Sequence, residues 1–258
     1  MKKDRIDALL VSRGLCDSRE QAKRLILAGE VRSGDRVIDK PSTQLLTDAP
    51  LEIKDKPRFV GRGGLKLEGA LDAFQIDPTG WICMDVGAST GGFTDCLLQR
   101  GAIRVHALDV GTNQLVWKLR NDPRVIVKEQ FNARHMVPAD IGEKVQLVVM
   151  DLSFISLTKV LPAVFSVIES GGAIVCLIKP QFELRREDIT KGGIVRDPLL
   201  HQQAIDKIRR FVTVQYNCEW RGLIPSPITG MDGNQEFLAW VGLPETMIWG
   251  NEPPFPDS

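Results

Sequence analysis

Residues 85–93 read Asp-Val-Gly-Ala-Ser-Thr-Gly-Gly-Phe and lie between an apolar run, Trp81-Ile82-Cys83-Met84, and a stretch with helical spacing at 94–99. A strand, a glycine-rich turn and a helix in that order form the entry to a nucleotide-type cofactor site in an open α/β sheet. Glycines let the backbone approach a ligand closely, and the helix start presents free N–H groups. Asp85, Gly87, Ala88, Ser89, Thr90, Gly91, Gly92 and Phe93 are therefore candidate cofactor contacts. The run is not the GxGxxG of dinucleotide enzymes. An acidic residue ending the first strand, followed by Gly87 and Gly91, suits S-adenosylmethionine better.

From residue 81 onward strands and helices alternate, which predicts a mostly parallel sheet with helices on both faces. The pattern places strands at 81–86, 104–109, 125–128, 145–151 and 173–179, with two more near 221–225 and 236–241. Helices are expected at 92–100, 113–121, 155–169 and 198–212, with Pro162 a possible kink in the third. A further helix is expected at 65–74. Ahead of this lies a compact α+β module over 1–54, with helices at 4–13 and from Ser18 to about Leu27. Short strands follow near 30–32, 36–38 and 51–54. Ser18 and Gln21 have capping-box spacing. Residues 55–64 (DKPRFVGRGG) read as a charged, glycine-rich linker, 65–245 as the large domain and 246–258 as a frayed tail.

Charge is uneven although the net is zero. Residues 1–60 hold 13 Lys+Arg and 10 Asp+Glu, against 20 and 23 in the remainder. A slightly basic head on a slightly acidic body hints weakly at a polyanion partner. The five cysteines form no CxxC pair, which argues against structural zinc and against a disulfide framework; buried free thiols in a cytoplasmic protein are expected. No apolar run reaches the ~18 residues of a membrane helix, so no membrane association is expected.

Asp109 ends the second predicted strand and can accept hydrogen bonds from ribose hydroxyls, or cap the next segment. Asn132 can lie near an adenine or serve as a loop turn residue; the two alternatives are open. Asp151 and Lys179 each close a very apolar strand at the sheet edge that carries the glycine turn. A lysine ending a buried strand is costly unless paired or functional. Lys66 opens the helix after the linker, and Glu236 starts the last strand; singly, each reads as a surface ion pair. Together, Lys66, Asp151, Lys179 and Glu236 resemble the tetrad of ribose 2'-O-methyltransferases. A ribose hydroxyl is a poor nucleophile that must be aligned and deprotonated during transfer. Lys179 is then the expected proton acceptor or alkoxide stabiliser, with Asp151 orienting it and also a candidate cofactor contact at the amino group of the donor's methionine part, and with Lys66 and Glu236 positioning the ribose. Base-amino methylation would call for Pro-Pro-aromatic after Asp151, where the chain has Leu152-Ser153-Phe154; carbon methylation would call for a cysteine nucleophile, and Cys176 lies mid-strand.

Longer segments carry a more specific resemblance. Gly61-Arg62-Gly63-Gly64-Leu65-Lys66-Leu67, residues 85–93, Leu119 to Val125, Asp151 to Ser156, Lys179-Pro180-Gln181-Phe182-Glu183 and Gly233-Asn234-Gln235-Glu236 are similar to the TlyA-type family, known both as haemolysin A and as ribosomal RNA 2'-O-methyltransferases. The resemblance implies an N-terminal alpha-L RNA-binding domain joined to an FtsJ-like, Rossmann-like class I methyltransferase with a seven-stranded sheet. It implies S-adenosylmethionine as cofactor and a cytidine ribose of ribosomal RNA, in the ribosome or a subunit, as substrate. Arg5, Arg13, Arg19, Lys23, Arg24 and Arg62 become candidate RNA contacts; without the resemblance the first five read as a solvated helix surface. The rival expectations are an RNA-binding assembly factor lacking activity and a membrane-lysing haemolysin.

Overall fold

The computed structural model describes residues 3–16, 18–53, 58–189, 192–230 and 232–245. The chain divides into two compact units, Met1–Arg58 and Phe59–Ser258.

The first unit contains β1 (Lys3–Arg5), α1 (Ile6–Ser12), α2 (Arg19–Leu27), β2 (Val31–Ser33), β3 (Arg36–Ile38), β4 (Gln44–Leu46) and β5 (Glu52–Ile53). Ser18 caps α2 by accepting from the Gln21 backbone N–H, as the spacing predicts. Ile6, Leu10, Ala22, Ile26, Val31 and Ile38 form its core. β2 pairs antiparallel with β3 and β5. β1 pairs antiparallel with β4, a long-range pairing that the sequence reading lacks, having placed residues 4–5 at the start of a helix, because neither three-residue strand alternates clearly.

The second unit contains α3 (Gly63–Phe74), β6 (Ile82–Val86), α4 (Gly92–Gln99), β7 (Arg104–Leu108), α5 (Trp117–Arg120), β8 (Val125–Lys128), α6 (Pro138–Ile141), β9 (Val145–Met150), α7 (Leu161–Phe165), β10 (Ile168–Ile178), α8 (Pro180–Glu183), α9 (Pro198–Arg210), β11 (Glu219–Pro225) and β12 (Phe237–Gly242). The sheet order is β11-β12-β10-β9-β6-β7-β8. The four pairings from β10 to β8 are parallel, and β12 is antiparallel to both neighbours. The expected mostly parallel seven-stranded sheet is present. Its central strands are buried on both faces, which is why they read as unbroken apolar runs. Separate clusters cover the two faces, one containing Leu161, Phe165 and Ile208, the other Leu67, Leu71 and Leu97. Each fully buried Leu, Ile or Phe contributes roughly 1.5–3 kcal/mol. Carboxyl ends of β6, β9 and β10 gather at one edge, where open α/β sheets bind ligands.

Three expectations are corrected. Residues 59–64 of the expected linker belong to the large unit. Phe59 is buried in its core, and the Val60 N–H donates to Asp95 at 2.9 Å. The helix expected at 113–121 shrinks to α5. Glu129 accepts the N–H groups of Asn113 and Gln114 at 2.9 Å and receives Arg120 at 2.6 Å, so a carboxylate satisfies donors that a helix would have used. The helix expected at 155–169 becomes a 3₁₀ turn, Leu157–Lys159, and then α7. Pro162 stands in the first turn of α7, where its missing N–H costs nothing. Among the described residues no helix is long and apolar enough to cross a membrane. Residues 54–57 and the tail 246–258 lie outside the described residues.

Candidate functional site

A cavity of about 610 Å³ opens in the large unit, beside the carboxyl ends of β6, β9 and β10. Its walls come from the start of α3, from the glycine turn, and from the loops after β9 and β10. The turn before β12 completes it. Gly87, Ala88, Ser89, Thr90, Gly92, Phe93, Lys66, Asp151, Lys179, Glu236 and Arg62 all line it.

The turn owes its shape to glycine at two positions. Gly87 has φ +88°, and a Cβ there would lie 2.5 Å from the Asp151 carbonyl oxygen. Gly91 has φ +100°, and its Cβ would strike Leu119 at 2.3 Å. Gly91 therefore packs the turn from behind and is not part of the cavity lining. Ser89 takes the left-handed region without being glycine, at φ 49°. Its N–H donates to Asp109 Oδ2 at 2.7 Å, while Asp109 Oδ1 accepts from Gly111. Asp109 is thus tied to the turn and leaves spare carboxylate lone pairs at its edge.

Asp85 lies below the turn rather than in the cavity wall. It is fully buried and accepts from Thr94 Oγ1 at 2.7 Å, leaving Oδ1 unpartnered. Burial pushes its pKa up to about 7, against the Thr94 hydrogen bond, with help from Asp151 and Asp109. Asn132 is exposed and caps a 3₁₀ turn by accepting from the Arg134 N–H.

Four charged side chains form a chain along the cavity floor. Lys66 Nζ is 2.5 Å from Glu236 Oε2 and 4.0 Å from Asp151 Oδ2. Lys179 Nζ is 2.6 Å from Asp151 Oδ1, and the ammonium donates to Ser153 Oγ at 3.0 Å. Side chains of Lys66 and Lys179 are each 10% exposed, Glu236 3% and Asp151 22%. Two cations and two anions alternate, so the buried charges compensate one another.

Sequence reasoning missed Ser153, Phe154, Gln181 and Phe182 as cavity residues. Their signal was position, directly after the strand-closing Asp151 and Lys179. Phe154 has φ 65° and is 90% exposed, and its ring lies 5.2 Å from that of Phe182. A non-glycine residue with positive φ that presents an aromatic face at a pocket mouth is the sort of strain found at functional sites.

In the small unit, Arg5 and Arg19 both pair with the fully buried Asp7, at 2.9 and 3.2 Å. Arg13 donates to the carbonyls of Ala49 and Thr47. Beside these bonds the side chains of Arg5 and Arg19 stay 43% and 56% exposed, Arg13 is exposed, and Lys23 and Arg24 are exposed on α2.

Comparison with known proteins agrees with this geometry. Residues 4–49 match the S4 domain family, and residues 59–243 match the FtsJ-like methyltransferase family. The chain is 47% identical over 244 residues to the 16S/23S rRNA (cytidine-2'-O)-methyltransferase TlyA of Mycobacterium tuberculosis, covering 93% of this chain and 90% of the relative. It is 43% identical over 238 residues to Hemolysin A of Brachyspira hyodysenteriae, covering 91% and 98%. A solved Streptococcus thermophilus chain, provisionally called a hemolysin, superposes with a TM-score of 0.72 at 45% identity, covering 95% of this chain and 90% of that one. With an S4 domain ahead of an FtsJ-like domain and such relatives across nearly its whole length, the chain belongs to the TlyA-type family of FtsJ-like methyltransferases.

Proposed function

We propose that the chain transfers a methyl group from S-adenosylmethionine to the 2'-oxygen of a cytidine in ribosomal RNA. The observation that carries this reading is the Lys66–Asp151–Lys179–Glu236 arrangement, buried except for the half-buried Asp151, in the lining of a cavity beside the glycine turn. The TlyA name and specificity of the M. tuberculosis relative supply the substrate.

The cavity suits the donor. Its volume falls within the ~300–1,000 Å³ of small-molecule sites. The Gly87–Ser89 backbone, Phe93 and the free lone pairs of Asp109 would hold the adenosine and methionine parts. When bound, S-adenosylmethionine supplies a methyl group on a positive sulfonium.

The remaining chemistry falls to the chain's own residues. Lys179, once it has released a proton to solvent and stands as the neutral amine, takes the 2'-hydroxyl proton as the new O–C bond forms and the methyl–sulfur bond of the donor breaks, and its resulting ammonium faces Asp151. Asp151 and Ser153 fix where the Lys179 nitrogen points. Lys66, held by Glu236, adds a second donor that orients the ribose and offsets negative charge on its oxygen. Phe154 offers a face on which an unstacked base can rest, and Arg62, in the cavity lining, would meet a phosphate. Arg5, Arg13, Arg19, Lys23 and Arg24 of the S4 domain are the candidates for RNA backbone contact.

The test is incubation with ribosomal RNA and methyl-labelled donor, then digestion to nucleosides. Label on the cytidine ribose is expected. Label on a base, or none, contradicts the reading.

A further inference from the structure

We propose that Glu183, acting with Lys207, is a positioning residue that clamps the two catalytic segments in register; this rests on the transfer reaction proposed above. β9 and β10 are paired only as far as Met150 opposite Cys176. Asp151 and Lys179 lie beyond that last paired position, so the ladder does not fix them against each other. Past the strand ends the chain leaves as two separate segments, the loop 151–156 and Lys179 followed by α8.

The Glu183 carboxylate joins those segments. It accepts from the Leu157 N–H at 2.7 Å and from the Ser156 hydroxyl at 2.5 Å. Lys207, on α9, closes the junction. Its ammonium reaches Glu183 Oε2 at 2.9 Å, the Glu183 carbonyl at 2.7 Å and Ser156 Oγ at 3.1 Å. The Glu183 side chain is 2% exposed and that of Lys207 41%. Glu183 thus ends α8, which begins directly after Lys179, and grips the segment that begins three residues after Ser153.

A buried carboxylate is an expensive way to fill space, since an apolar side chain of similar size avoids the desolvation cost. It is directional, however. An N–H and an O–H from the segment after β9 and an ammonium from α9 converge on it, and a fully satisfied network of this kind defines a single geometry. The geometry so defined includes the 2.6 Å approach of Lys179 to Asp151 and its 3.0 Å hydrogen bond to Ser153. Misplacement of a reacting group by about 1 Å can cost a hundredfold in rate.

The experiment uses full-length protein with Glu183→Ala, Glu183→Gln and Lys207→Met, and with Ile208→Val on the same helix as a stability control. It measures kcat, donor binding and the pH profile of kcat. Glu183→Ala and Lys207→Met are expected to lower kcat about ten- to a hundredfold, shift the pH profile, and leave donor binding unchanged. Glu183→Gln keeps one acceptor oxygen for the Leu157 N–H and can donate its amide N–H to Ser156 Oγ, and is expected to recover part of the rate. Ile208→Val should lower the melting temperature without moving kcat or its pH profile. If Glu183→Ala does not fold, Lys207→Met and Glu183→Gln carry the test. Wild-type kcat and pH profile in the folded variants overturn the clamp, as does an equal loss of kcat in Ile208→Val. Lys179→Ala separates the two readings: if it abolishes transfer while the Glu183 variants are normal, only the clamp fails, and if it transfers normally the proposed reaction fails.

Discussion

Lys66→Met removes the cation that lies 2.5 Å from Glu236, a carboxylate only 3% exposed. Breaking a buried pair from one side costs about 3–5 kcal/mol, because the remaining charge stays in a poor solvent. For a domain of this size the melting temperature should fall by roughly 6–20 °C, at about 2–4 °C per kcal/mol. Glu236→Leu should cost less, since Lys66 still has Asp151 at 4.0 Å. That rearrangement draws Asp151 away from Lys179, so transfer should fall sharply in the less destabilised variant too. The double variant Lys66→Met/Glu236→Leu removes both charges. Apolar replacement of a whole buried pair is often neutral or stabilising by about 1–4 kcal/mol, so its melting temperature should return to that of the parent or above. Its methyl transfer should remain lost. Thermal unfolding and transfer to ribosomal RNA, measured on the same preparations, check this. A double variant with parental turnover would show the pair to be structural only. One as unstable as Lys66→Met would refute the argument from uncompensated charge.

Other consequences are open to direct measurement. Gly87→Ala places a Cβ 2.5 Å from the Asp151 carbonyl at φ +88°; the left-handed backbone alone costs about 1–2 kcal/mol, and calorimetry should show donor binding weakened at least tenfold. Asp85 has its folded-state pKa raised to about 7 from 3.8, so the folded state holds a proton that the unfolded state releases. Stability should therefore decline as pH rises from about 4 to about 7, by roughly 4 kcal/mol from this group. Asp85→Asn should flatten that part of the curve, and an unchanged slope in pH-dependent denaturant melts would refute the assignment. Removing residues 1–58 should leave the large unit folded and able to bind donor, by circular dichroism and calorimetry, while abolishing transfer to ribosomal RNA; unchanged transfer would remove the role assigned to the S4 domain.

Much of this site could be read in the chain because its residues mark the ends of buried strands. Asp151 and Lys179 stand out as charges closing the apolar runs of β9 and β10, and the glycine turn announces itself by composition. The features that stayed hidden depend on contacts between distant segments. Glu129 takes the N–H groups of residues 113–115, so the local helical pattern there is overridden by a side chain from beyond β8. Arg5, Arg13 and Arg19 look like free cations in a linear reading, yet Asp7 and two backbone carbonyls engage them. Asp85 carries the right residue type but stands one position before the end of β6 and points under the turn, since side chains alternate along a strand. Phe154 gave no periodic signal, because its exposure follows from a left-handed backbone in a loop.

The central claim is that Lys179, aimed by Asp151 and Ser153, moves the proton during transfer. Single-turnover methylation by Lys179→Ala, at saturating donor and ribosomal RNA, tests it most directly. The account predicts a rate lower by about 10²–10⁴-fold with donor and RNA binding retained. A parental rate in that variant would contradict it.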